Sequence, residues 1–361
     1  MTRTFTLTLA GLAGATAIGA AVAAATFSEP RINTSDAPGL RSFVVTAPHH
    51  ADHNDGIVEG MAWYPSLSDG RDRIVSENPV FFGVEASRDA TFEAPADGEA
   101  YPLVVLSHGL GGHHRSMSWL ASEVASRGAI VIAISHPNSS WGDFDIQAGM
   151  DHWTRAQDIQ ATIDAALNDA DFAGHIDPDR IMVAGFSYGG WTALSVGGVL
   201  GDHAGYVAHC ADAQQASTHC TDLMEANVTL ADMDPDQWNG SYADPRVTHV
   251  TAVDPALIWG MDASNVASLV DHVRLIALGD GPDRLLATDF DESGFAALLP
   301  DAAINRFAPA SHFMFLPLCK PEGAAILEYE NDDPVCTDPA GADRAALHGA
   351  VIDLIADDLG L

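Results

Sequence analysis

The sequence predicts an α/β fold in which a mostly parallel central sheet carries helices on both faces. Three observations point to it. The short, continuous apolar runs Leu103–Leu106, Ala129–Ile134 and Ile181–Ala184 have the character of strands buried on both faces. Segments with helical spacing alternate with them, which is the pattern of strand–helix–strand crossovers. Hydrophobic residues make up 47% of the 361 residues, ample for a core on both sides of such a sheet.

Taken in order, Arg41–Ala47 and Ile57–Tyr64 are rich in β-branched and aromatic residues and are bounded by turn formers, so two early strands are expected. Residues 65–100 are polar and turn-rich. After the strand at Leu103–Leu106 a helix is expected near Ser116–Ser126, then the strand Ala129–Ile134. Helical spacing marks Trp153–Leu167. The strand Ile181–Ala184 is followed at once by a helix. His249–Val253, Val273–Leu278 and Ile304–Phe307 read as strands, and Arg344–Leu359 as a C-terminal amphipathic helix. No internal repeat or linker divides the chain. One domain over 26–361 is expected, with its largest insertion at about 206–246.

The chain has 50 Asp+Glu against 16 Lys+Arg, a formal net charge of −34. That charge repels phosphate backbones and anionic bilayers, so neither nucleic acid nor a membrane surface is an expected partner. The balance is peculiar: 38 Asp, 12 Glu, 15 Arg and a single lysine, Lys320. Asp-rich, Lys-poor surfaces keep proteins hydrated in salt, and a GC-rich genome depletes lysine codons with the same result.

Residues 1–25 read as a signal peptide. Arg3 is followed by an Ala/Gly-rich apolar run, and Ala21-Val22-Ala23 and Ala23-Ala24-Ala25 offer small-x-small cleavage sites. A secreted or periplasmic protein is expected, without a membrane anchor after cleavage. Export permits disulfides, and the four cysteines fall into two local pairs, expected as Cys210–Cys220 and Cys319–Cys336. Three His and two Asp in the seven residues from His49 to Asp55 could hold a metal ion, but a solvated hairpin loop is the expectation.

The strand Ile181–Ala184 runs into Gly185-Phe186-Ser187-Tyr188-Gly189, with helix-forming residues after it. This is G-x-S-x-G in the strand–turn–helix setting that the chemistry needs. A sharp turn lifts the Ser187 Oγ clear of the sheet, glycines at −2 and +2 avoid clashes, and the helix N-terminus behind it favours developing negative charge. The strand Leu103–Leu106 runs into Ser107-His108-Gly109-Leu110-Gly111-Gly112. Such a His-Gly-rich loop supplies one oxyanion-hole amide and the residue after the nucleophile supplies the other, here Leu110 and Tyr188. His108 is expected to brace the loop, and His113 and His114 to line its rim.

In this arrangement the triad follows the chain order Ser, acid, His. His312 lies in a loop after a strand and is the expected general base. The later His348 falls within the C-terminal helix pattern and is expected at the surface. The acid is open between Asp254, Asp280 and Asp283, all of which follow strands. Spacing alone favours Asp283.

These segments resemble the alpha/beta-hydrolase superfamily and, within it, the predicted dienelactone hydrolases and platelet-activating-factor acetylhydrolases. Pro102–Gly111, Gly185–Gly190, Ala252–Leu257 and Ser311–Leu316 followed by Cys319 carry the similarity, which extends over about 40–355. In the acetylhydrolases the acid follows an Ala-Leu pair on the strand after the nucleophile helix. Ala252-Val253-Asp254 is similar, so the resemblance implies Asp254, with Asp283 second. It also implies Leu110 and Tyr188 as the oxyanion amides. Dienelactone hydrolases carry a cysteine nucleophile where this chain has Ser187.

The expectation is therefore a serine esterase working through an acyl-enzyme on small neutral esters, with no metal or organic cofactor. Its variants are a polyester or lipid-ester hydrolase with an open groove, an amidase or peptidase on the same triad, and an inert binding fold. Trp119, Trp141, Trp191, Phe313 and Phe315 are candidate pocket walls, with plain core positions as the expectation.

Overall fold

The computed structural model describes residues 37–361 apart from residues 68, 214 and 215. The expected signal peptide, residues 1–25, lies outside the described residues.

Ten strands form one sheet. In chain order they are β1 (Gly39–Thr46), β2 (Ile57–Tyr64), β3 (Arg71–Val75), β4 (Val84–Arg88), β5 (Tyr101–Ser107), β6 (Ile130–Ile134), then, after the two short strands β7 (Ser139–Ser140) and β8 (Asp143–Phe144) of a separate hairpin, β9 (Ile176–Phe186), β10 (His249–Val253), β11 (His272–Leu278) and β12 (Ala303–Phe307). Their order across the sheet is β12-β11-β10-β9-β5-β6-β2-β1-β4-β3. The run from β12 to β6 is parallel throughout, and β2 joins it antiparallel.

Strand alternation divides the core into two layers. Leu103, Val105, Ile132 and Val183 face one side, with α3 (His152–Leu167) and α4 (Tyr188–Gly197). Val104, Leu106, Val131 and Met182 face the other, with α1 (Ser118–Ser126) and α9 (Arg344–Leu359). The segment at about 206–246 is helical. It contains most of α5 (His203–Ala213), all of α6 (Thr218–Glu225) and the short α7 (Pro235–Trp238). Its Tyr206, Leu223 and Trp238 join the first layer, and the Cys210–Cys220 disulfide ties α5 to α6. The second disulfide, Cys319–Cys336, brackets α8 (Gly323–Glu330).

Two expectations need correction here. Residues 65–100 hold β3 and β4, an antiparallel pair on the far edge of the sheet. β3 reads Arg-Asp-Arg-Ile-Val and exposes its first four residues, so it has neither an apolar run nor clean alternation. His348 is buried, not at the surface: its ring stacks on Trp119 at 3.8 Å and its Nε2 donates to the Met314 carbonyl at 2.9 Å.

Candidate active site

Parallel register brings the carboxyl ends of five strands to one edge of the sheet. Ser107 ending β5 pairs with Gly185 on β9, Phe186 pairs with Val253 ending β10, and Leu278 ending β11 pairs with Phe307 ending β12. Chains leaving these ends carry every candidate residue, as expected of open parallel sheets.

Ser187 sits between β9 and α4 with φ +56° and ψ −118°, a left-handed backbone that a non-glycine residue adopts at a cost of about 1–3 kcal/mol. Its backbone is anchored on both sides. The Ser187 N–H donates to the Val253 carbonyl at 2.8 Å, and its carbonyl accepts from Ala256 at 3.1 Å. The flanking glycines are forced by contact. A Cβ on Gly185 would lie 2.0 Å from the Gly189 carbonyl oxygen, and one on Gly189 would lie 1.9 Å from that of Ser107. Tyr188 opens α4, so its N–H is among the first-turn amides that have no partner within the helix.

The loop after β5 lies against this turn. A Cβ on Gly109 would meet the Ser187 Cβ at 3.3 Å, which places neighbouring Leu110 at the same mouth. His108 is fully buried and braces the loop: Nδ1 donates to the Gly109 carbonyl at 2.7 Å, and Nε2 accepts the His136 N–H at 3.1 Å. Burial, helped by the Arg155 charge, holds His108 far below the usual imidazole range, so it stays neutral.

Arg155, buried on α3, holds the loop from beneath. Its guanidinium donates to the His108 carbonyl, to Ser107 Oγ at 3.2 Å, to Ser139 Oγ at 2.7 Å and to Thr192 Oγ1 at 3.0 Å. It also lies 4.6 Å from the centre of the Tyr188 ring. Burial lowers it to about 10, still charged at neutral pH. Beside it, His136 donates through Nδ1 to Asp158 Oδ2 at 2.9 Å and its Nε2 accepts from Ser107 Oγ at 2.9 Å. Burial and the Arg155 charge pull His136 down to about 4 against the pull of Asp158.

Asp254 follows β10 and is fully buried, with φ +45°. Its Oδ2 accepts the His312 Nδ1–H at 2.9 Å, and its Oδ1 accepts the Leu278 N–H at 3.0 Å and Arg284 Nη1. His312 begins a short 3-10 turn after β12, and its ring lies 4.5 Å from that of Phe186, the residue before Ser187. With Nδ1 turned to Asp254, Nε2 is the free nitrogen. Asp280 and Asp283, by contrast, are exposed in the turn after β11. From that turn it is the next residue, Arg284, that reaches inward.

His114 is buried, bonded to Ser135 Oγ at 2.8 Å and lowered to about 3 by burial, so only the half-buried His113 remains for the rim. Trp119, Trp191 and Phe315 are core, as expected, while Trp141, also expected in the core, stands 77% exposed. The His49–His53 loop is not a solvated hairpin: His50 is buried, and His49 and His50 both reach Asp158. Sequence reasoning missed Arg155, Asp158 and Arg284. The first two fall on the apolar stripe of α3 beside Ala156, Ile159 and Ile163, and charged residues on a buried stripe were the available signal. Nothing in the sequence marked Arg284.

The chain is similar to several known proteins. The family model described as platelet-activating factor acetylhydrolase, isoform II, matches residues 76–143. Cutinase 2 of Thermobifida cellulosilytica is 28% identical over 242 residues, 66% of this chain and 77% of that protein. A platelet-activating factor acetylhydrolase of Canis lupus familiaris is 26% identical over 40% of this chain and 43% of its own. Among solved structures, a ferulic acid esterase from Streptomyces cinnamoneus superposes with TM-score 0.55 at 16% identity, covering 92% of this chain and 91% of the other. A dienelactone hydrolase-like promiscuous phosphotriesterase from metagenomic libraries gives 0.50 at 15%, covering 89% and 98%.

This chain has the α/β-hydrolase fold and is similar in sequence to cutinases and platelet-activating factor acetylhydrolases. As an α/β-hydrolase with these relatives it is a carboxylic ester hydrolase. Among its described residues no helix is long and apolar enough to cross a membrane.

Proposed function

We propose that the α/β-hydrolase cleaves small neutral carboxylic esters with Ser187 as nucleophile, His312 as general base and Asp254 as the orienting acid. The observation that carries this is the 2.9 Å bond from His312 Nδ1 to the buried Asp254 carboxylate, at the sheet edge where Ser187 sits on its strained turn. His312 Nε2 takes the Ser187 Oγ proton as the oxygen attacks the ester carbonyl. The tetrahedral oxyanion accepts the Leu110 and Tyr188 N–H groups, each worth roughly 3–4 kcal/mol in such sites. His312 returns the proton to the departing alkoxide, which leaves as the alcohol. Water, activated by the same nitrogen, then releases the acid and regenerates Ser187. The net charge of −34 disfavours anionic substrates. The two disulfides and the N-terminal apolar run support export.

Hydrolysis of p-nitrophenyl acetate, butyrate and octanoate by the wild type and by Ser187→Ala tests the reading. Turnover by the wild type that the variant loses is expected. A folded wild type inert on all three esters overturns it.

One observation favours a second reading, an open groove for insoluble or polymeric esters. The β7–β8 hairpin is bonded to the oxyanion loop through Gly111 N–H to Ser139 O at 2.9 Å and Trp141 N–H to Gly112 O at 2.7 Å. It holds Trp141, 77% exposed, and Phe144, 51% exposed, beside that loop. Two aromatics exposed together on one short hairpin offer an apolar contact to a flat surface. Trp141→Ala would then slow hydrolysis of a polyester film while leaving soluble esters unchanged.

A further inference from the structure

Outside the ester site, two imidazoles and a carboxylate converge on one point. Pro48–His50 form a 3-10 turn in the β1–β2 connection, and this turn holds consecutive residues with their rings 4.3 Å apart. His49 Nε2 lies 2.7 Å and His50 Nε2 3.0 Å from the same oxygen, Asp158 Oδ1, and all three atoms fall within 4.8 Å of one another.

The surroundings suit a cation. Asp158 is fully buried, and a buried carboxylate needs compensating charge. Arg155, one turn away on α3, spends its donors on Ser107, His108, Ser139 and Thr192. His136 donates its Nδ1–H to Asp158 Oδ2 at 2.9 Å and so fixes the carboxylate with Oδ1 aimed at the two histidines. A hydrogen bond of this kind to the outer atom of a ligand is what metal sites use to orient their first shell. His50 is buried, while the His49 side chain is 20% exposed and leaves a way in from solvent.

We propose that His49 Nε2, His50 Nε2 and Asp158 Oδ1 bind one divalent ion of the zinc class, with water completing a tetrahedron. Two imidazoles and one carboxylate oxygen match borderline ions at about 2.0–2.2 Å, whereas calcium and magnesium prefer oxygen donors alone. Binding takes the place of the two imidazole contacts to Oδ1. The ion would pin the β1–β2 turn to α3 and, through Asp158, His136 and Ser107, support the oxyanion loop from behind. The site supplies no group to the ester chemistry itself.

Full-length protein stripped with EDTA and shown to be folded by circular dichroism is dialysed against Zn²⁺, and bound metal and melting temperature are measured. One equivalent of zinc is expected, with Tm raised by roughly 5 °C at a hundredfold excess over Kd. The Co²⁺ form should show the visible d–d absorption of a tetrahedral site. His49→Ala removes a partly exposed ligand and should lose the zinc, the Tm shift and the band. His53→Ala, on the same connection but paired with Asp143, should keep all three. Wild type that takes up no zinc overturns the proposal. So does zinc held equally by His49→Ala, which would place the ion elsewhere.

Discussion

Arg284 donates through Nη1 to Asp254 Oδ1, while the other oxygen of the same carboxylate receives the His312 Nδ1–H. The guanidinium is itself held by the carbonyls of Leu278 and Thr288 and lies 5.2 Å from the centre of the Phe290 ring. The residue that orients the imidazole is thus oriented in turn by a cation from the next loop. That cation pairs with the fully buried carboxylate at the oxygen that His312 leaves open.

Replacing Arg284 should therefore loosen the carboxylate that orients His312. Arg284→Gln is expected to lower kcat/KM by roughly 10–100-fold, the equivalent of about 1–3 kcal/mol for a lost charged hydrogen bond to a buried group. Because the arginine touches Asp254 and not the substrate, the loss should fall on kcat and leave KM nearly unchanged. Arg284→Lys keeps the charge and should restore kcat in part. An unchanged kcat in a folded Arg284→Gln would show that the arginine only supports the fold.

The two acid candidates separate cleanly by mutation. Asp254→Asn should cut kcat by roughly ten-thousandfold, as loss of the orienting carboxylate does in such triads. Asp283→Asn, in an exposed turn, should leave kcat within about twofold. The reverse result would return the role to Asp283.

Much of this site was legible in the sequence, because strand–turn–helix chemistry is local. Gly185 and Gly189 have no room for a Cβ, and the short apolar runs flanking the oxyanion loop could fold only as buried strands. Spacing alone pointed to Asp283, and only the resemblance singled out Asp254. The difference is tertiary: Asp254 lies at the β10 end that pairs with Phe186, whereas the turn after β11 leaves Asp283 in solvent. Arg155 and the burial of His348 follow from helix faces meeting partners far away in sequence, which periodicity marks as apolar without saying what polar atom lies opposite. The polar edge strand β3 and the helices of the insertion carry no periodic signal strong enough to stand alone.

Acid should weaken the fold well before carboxylates titrate. Burial holds His114 and His152 at about 3 and His136, His219 and His348 at about 4, against 6.5 in the unfolded chain. Between about pH 6.5 and 4 the unfolded state binds protons that the native state refuses, so stability is full above that window and falls on descending through it. Each group contributes up to about 1.4 kcal/mol per pH unit. Tm should drop steeply between pH 7 and 5, and His348→Gln, which keeps a donor for Met314, should show a shallower slope. A flat Tm over that range would mean these imidazoles accept protons in place.

The C-terminal disulfide offers a test of the second half of the fold. Cys319–Cys336 closes a separation of 17 residues around α8, and a loop of that size constrains the unfolded chain by about 3 kcal/mol. The double variant Cys319→Ser/Cys336→Ser should therefore melt roughly 4–5 °C lower while keeping its KM. An unchanged Tm would show that the packing of α8 and α9 fixes the loop without it.

One guanidinium, that of Arg155, grips the loop bearing Leu110 and also lies against the ring of Tyr188. It works as a spacer of fixed length between two amides drawn from separate parts of the chain. Both segments rest on one rigid planar group. In the proposed mechanism, the gap that a substrate oxygen enters is set in part by the dimensions of that group.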